Sequence, residues 1–174
     1  MKINVPSLVS AAGGELVGKI RLQKVVYLLD QMGLSSPFSF EYHHYGPYSA
    51  DLADSIEDDV AFGYLAAEQR RRQSDGVPYV AYRAIGADEG NSWDAYLPDD
   101  EIRSALGQMQ HRSATVLELA ATIHWLAVIE RNENWSAELI RRKGAKAQGG
   151  RDQQALELLR SLRLPPAVNV PSRA

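Results

Sequence analysis

Glycine dictates the order of elements in the first half of this chain. Gly13-Gly14, Gly33, Gly63 and Gly76 divide the stretch up to Ile85 into segments of different periodicity. A Gly-Gly pair favours the left-handed cap that ends a helix, so a first helix is predicted from Pro6 to Ala12. The next segment carries Leu22, Val25, Val26, Leu29 and Met32 at helical spacing, which predicts a helix from Val17 to Met32. Its buried stripe leaves Lys19, Gln23, Lys24 and Asp30 mostly outside.

Alternation from Phe38 to Tyr42 suggests a short extended piece before the turn Tyr45-Gly46-Pro47-Tyr48. Ser49 then stands as an N-cap with Asp51 in the first turn, opening a helix to about Phe62 with Leu52, Ala53, Ile56 and Val60 inward. Two β-prone runs follow, Tyr64 to Gln73 and Val77 to Ile85, and Asp75-Gly76 between them is a strong hairpin signal. Two helices followed by a hairpin outline a winged helix-turn-helix.

Further helices are expected from Pro98-Asp99-Asp100 to Gln110, from Ser113 to Glu130 and from Asp152 to Leu162. Another should start at an N-cap Ser136, stapled by Trp135 against Ile140. The Ser113 to Glu130 segment is the most apolar and should be central. The fold class is therefore α+β, mainly helical: a winged helix-turn-helix-like core with one β-hairpin and additional C-terminal helices. One domain is expected over residues 1–164, with the helix-turn-helix and hairpin in 1–90 and the helical portion in 98–164. Pro165-Pro166 would end it, leaving 165–174 as a flexible tail.

Composition narrows the chemistry. The 174 residues include no cysteine, which excludes disulfides, thiolate metal sites and thiol catalysis. The N-terminal residues lack the apolar core of a signal peptide, and no apolar run approaches the roughly 18 residues of a membrane span, so a cytoplasmic location without membrane contact is expected. Charge is asymmetric: residues 1–130 hold 10 Lys+Arg and 18 Asp+Glu, whereas 131–174 hold 9 and 4. Either a basic C-terminal face docks on an acidic partner, or the two parts attract each other within the fold.

Two stretches, Gly13-Gly14-Glu15-Leu16-Val17-Gly18-Lys19-Ile20-Arg21-Leu22-Gln23-Lys24-Val25-Val26-Tyr27-Leu28-Leu29 and Tyr45-Gly46-Pro47-Tyr48-Ser49-Ala50-Asp51-Leu52, resemble the signatures of the YwgA-like bacterial proteins. That resemblance implies no particular activity. A more distant likeness, through the Leu-Gln-Lys and Tyr-Gly-Pro runs, is to the Panacea antitoxin domain of SocA-like proteins. It implies a protein-binding role in which a toxin is neutralised.

No catalytic or metal constellation stands out, so no enzyme activity and no cofactor are expected. His43 and His44 are adjacent, and in an extended segment their side chains point to opposite faces, one expected exposed and one packed. His124 and Glu118 are six apart on one helix, which does not put them on one face, and His124 is expected to bond a carbonyl in the core. The acidic run Asp51, Asp54, Glu57, Asp58 and Asp59 lacks the looped alternation of a calcium site.

The reading favoured by these residues is a non-catalytic module that binds a protein partner, a basic toxin being one such partner. Its surface would combine Tyr42, Tyr45 and Tyr48 with Asp51, Asp58 and Asp59. The alternative is a winged-helix DNA-binding regulator gripping phosphates through Arg70, Arg71, Arg72, Arg141, Arg142, Lys143 and Lys146, although its second helix carries five carboxylates. A homo-oligomer is compatible with either.

Overall fold

The structure is a computed structural model and describes residues 3–86 and 100–168. The expected helix start at Pro98-Asp99, the far end of the tail (169–174) and Met1-Lys2 lie outside the described residues. Within them the chain orders as α1 (Val5–Ala11), β1 (Glu15–Val17), α2 (Lys19–Gln31), β2 (Glu41–His43), β3 (Gly46–Tyr48), α3 (Ala50–Ala61), β4 (Leu65–Arg71) and β5 (Pro78–Ala84). There follow α4 (Asp100–Gln110), α5 (Ala114–His124), α6 (Trp135–Lys143) and α7 (Arg151–Ser161). A π-helical turn, Trp125–Ile129, continues α5.

Local chemistry sets most of these boundaries. The Asn4 carboxamide accepts from Ser7 N at 3.0 Å and opens α1. Ser49 Oγ accepts from Leu52 N at 3.2 Å and opens α3, as its sequence position requires. The Asp75-Gly76 turn joins β4 and β5, which pair antiparallel from Leu65↔Ala84 to Arg71↔Pro78.

The hairpin has a third partner that the sequence pattern hid. Residues Glu15–Val17, read as the approach to α2 and its first residue, form β1 against β5, with Leu16 opposite Tyr82. Gly18, at φ 92°, turns the chain from strand to helix, and its N–H donates to Val80 O at 2.8 Å. The helix therefore begins at Lys19 and not at Val17. The sheet order is β1-β5-β4, and β2 and β3 form a separate small hairpin.

One cluster of buried apolar residues runs from Ile3 to Leu164. α2 lies at its centre, packed against α5, α4 and β3, while α5 packs on α7 and α6. All eight residues from Leu22 to Leu29 are buried. This corrects the expectation that Gln23 and Lys24 lie outside the buried stripe: neighbours surround the middle of α2, so these two polar residues are enclosed as well.

At α6 the cap is Asn134 and Trp135 is the first helical residue, so Ser136 is not the N-cap. Ile140 is 59% exposed, and the expected staple is absent. Near the end of the chain, Ala167 packs partly against the core.

Candidate interaction site

The two signature stretches meet in the fold. Gln23, on α2, grips Ser49 by both backbone groups: its Nε2 donates to Ser49 O and its Oε1 accepts from Ser49 N, each at 2.8 Å. Lys24 Nζ donates to Pro47 O at 2.6 Å. One turn further along, the Tyr27 hydroxyl and His124 Nδ1 share a hydrogen bond of 2.8 Å. Successive residues of α2 thus fasten the Tyr-Gly-Pro hairpin, the cap of α3 and the end of α5.

Gly46 is required by two separate constraints. Its φ is +85°, a region side chains rarely adopt, and a Cβ there would lie 2.7 Å from Thr122 Oγ1. The hairpin therefore presses its backbone directly onto α5.

Under the hairpin lies a network of charge. Glu118, 3% exposed on α5, accepts from Lys143 Nζ at 2.8 Å and from Lys146 Nζ at 3.2 Å. Lys143 also donates to His44 O at 3.0 Å. A carboxylate taken out of water needs such partners, since an unpaired one would be strongly destabilising. Burial lowers the Lys24 pKa to about 8; Glu118 opposes that shift, whereas Lys143 and Lys146 add to it. Burial likewise lowers His124 to about 4 and raises Tyr27, so both are uncharged near neutrality. His124 bonds a phenol and not the carbonyl expected of it.

The aromatic residues proposed from sequence are brought near one another but divide between two faces. Tyr42 is half-buried with Arg142 4.6 Å from its ring centroid. Tyr45 is 46% exposed and lies under Lys146, while Tyr48 is half-buried and stacks on His43. Both histidines are exposed, which corrects the expectation that one would pack: the hairpin is a projecting ribbon with only its Gly46-Pro47 side covered. Among the described residues no group of three or more His, Cys, Asp or Glu is placed to hold a metal ion.

On α3, Asp51, Asp54, Glu57 and Asp58 are exposed and form no salt bridge among the described residues. Asp59 differs. It is half-buried with one carboxylate oxygen lacking a partner, and burial, together with Asp58, raises its pKa to about 6. Beyond the helix end, Phe62 is 73% and Tyr64 47% exposed, with ring centroids 6.4 Å apart.

The basic residues of the alternative reading all have partners in their own chain. Arg70 forms a bidentate pair with Glu15 and a further bond to Glu68, each contact 2.8 Å. Arg71 donates to Gly76 O, and Arg72 pairs with Asp75. Arg141 and Arg142 share Glu138, Arg142 also takes Glu130, and Lys143 and Lys146 take Glu118. The pairs to Glu118 and Glu130 join the basic C-terminal part to the acidic body, so the two parts attract each other within the fold.

The α2 signature is thus a set of fasteners within an α+β domain, while α3 and the residues beyond it present exposed carboxylates and aromatic rings. The chain is similar to the uncharacterized protein YwgA of Bacillus subtilis (strain 168): 25% identical over 154 residues, which cover 86% of this chain and 89% of that protein. This similarity supports the YwgA-like resemblance of the signature residues. No protein-family model matches the chain. Among the described residues no helix is long and apolar enough to cross a membrane.

Proposed function

We propose that the protein is a non-catalytic binding module that recognises a basic protein partner through α3 and the aromatic residues beyond it. The observation that carries this is the exposed face of α3, where Asp51, Asp54, Glu57 and Asp58 form no salt bridge among the described residues and run towards the exposed Phe62. Free carboxylates of one sign steer an oppositely charged partner, and an adjacent exposed aromatic ring supplies contact area. The likeness to the Panacea domain suggests that this partner is a toxin.

A DNA-binding reading draws on topology. The order helix, strand, helix, helix, hairpin, with β1 added to the hairpin, resembles that of a winged helix, although residues 32–49, which include β2 and β3, stand where its short turn would be. In that arrangement α3 would enter the major groove, and its carboxylates would meet phosphates. Of the basic residues of that reading, Arg71, Arg72 and Arg141 are exposed, and each is already bonded within the chain, Arg71 and Arg72 in the hairpin and Arg141 to Glu138. The protein-binding reading is therefore preferred.

The test compares proteins captured from the native host by the wild type, by Asp54→Lys with Asp58→Lys, and by Glu157→Lys on the exposed side of α7. A basic protein held by the wild type and by Glu157→Lys, and lost by the α3 double variant, is expected. Equal capture by all three contradicts the α3 surface, and retention of nucleic acid alone contradicts the function class.

A further inference from the structure

Between the first turn of α2, the β2–β3 hairpin, α3 and β5 lies a cavity of about 200 Å³. Its walls are chiefly apolar: Ile20, Ala53 and Ile56 with Tyr45, Tyr48 and Tyr82. Lys19, Lys24, Gln23 and Glu57 complete the lining. The Gln23 amide is committed to Ser49, and Glu57 and Lys19 are exposed on the rim.

The charge beside the cavity is unbalanced. Lys24 gives one N–H to Pro47 O and has no second acceptor among the described residues, although an ammonium has three donors. Lys146 lies 4.8 Å from the ring of Tyr45, which lines the cavity, and Lys143 and Lys146 already share Glu118. Three ammonium groups thus answer to one buried carboxylate. The end of α2 at Lys19 and Ile20 also lacks a side-chain cap, since Gly18 occupies that position, so the positive end of its dipole adds to the same sign.

We propose that this cavity binds a small apolar acid, with an aromatic ring or branched chain between Ile20, Ile56 and Tyr82 and its carboxylate towards Lys19 and Lys24. The volume is below the roughly 300–1,000 Å³ of drug-sized sites, which limits the ligand to about one ring or chain with its acid group. A neutral ligand would leave the lysine donors unmatched, and a cation would add to the excess charge. A phosphate dianion would have to bury its charge against apolar walls. The site is distinct from the α3 docking face, with which it shares Glu57 at the rim: Ala53 and Ile56 line the cavity, whereas Asp51, Asp54 and Asp58 do not.

The test is titration of phenylacetate, phenylacetamide and phenethylamine into the full chain near neutral pH, followed by calorimetry and by amide NMR. Saturable binding of phenylacetate is expected, at least about tenfold tighter than the amide and the amine, with shifts confined to residues 19–24, 45–48, 53–57 and 81–83. Ala53→Leu fills the cavity without touching a lysine and should abolish binding, and Lys24→Met should weaken it at least about tenfold. Should Lys24→Met fail to fold, Ala53→Leu and Lys19→Met carry the test. Absence of saturable binding, equal affinity for amide or amine, or undiminished binding by Ala53→Leu overturns the proposal. None of these outcomes bears on partner capture through α3.

Discussion

Replacing Gly46 by alanine tests how tightly the hairpin is pressed onto α5. An alanine held at φ +85° loses about 1–2 kcal/mol for its left-handed backbone. The new Cβ, 2.7 Å from Thr122 Oγ1, forces a shift of the kind that overpacking makes unfavourable by about 1–3 kcal/mol. Together these predict a loss of about 2–5 kcal/mol, a large part of a typical domain's stability. Gly63 is the control: its φ is +77° but nothing lies within 4 Å of an added Cβ, so Gly63→Ala should lose only the backbone part, about 1–2 kcal/mol. Thr122→Ala, placed in the Gly46→Ala background, should recover at least about 1 kcal/mol by removing the obstructing hydroxyl. Urea denaturation of the four proteins, with m-values compared, measures all of this. Equal losses for Gly46→Ala and Gly63→Ala, or no recovery with Thr122→Ala, would refute the close-approach argument.

Other expectations follow from the same contacts. Glu118→Gln removes the counter-charge of Lys143 and Lys146 and should lower stability by about 3–5 kcal/mol in urea denaturation. Gln23→Ala leaves both backbone groups of Ser49 without their partner and should lose about 2–4 kcal/mol. Asp59 has its folded pKa raised to about 6 from an ordinary 3.8, so its contribution is present below about pH 4 and is lost as pH rises through 6. Asp59→Asn should therefore be more stable than the wild type by about 1–3 kcal/mol at neutral pH, with the difference vanishing by about pH 4 in paired denaturation series. Phe62→Ser should change stability by under about 0.5 kcal/mol, because its ring is 73% exposed, while weakening partner capture.

What the sequence disclosed was local. Ser49 as a cap, Asp75-Gly76 as a hairpin turn and the ends of α3 and α7 depend on neighbours a few residues away, and they can be read to within a residue or two. β1 escaped because three residues carry no usable alternation, and their partner β5 lies more than 60 residues further on. Lys24 was misplaced for a related reason: a helical wheel sorts polar from apolar residues but cannot show that a hairpin will cover the polar side and offer Pro47 O. Glu118 did leave a signal, a single carboxylate between Leu117 and Leu119 in the most apolar helix, yet its partners Lys143, at the end of α6, and Lys146, just beyond it, lie 25 and 28 residues further on. The tyrosine cluster was visible as composition, whereas its division between Arg142 on one side and the cavity on the other depends on tertiary packing.

The central claim is that α3 and the aromatic residues beyond it form the docking surface. Hydrogen exchange on the full chain, with and without the captured basic protein, tests it most directly. The account predicts slowed exchange over residues 50–64 and little change over the hairpin tip at 71–78 or over α6. Protection confined to the hairpin tip or to α6, with α3 unchanged, would contradict it.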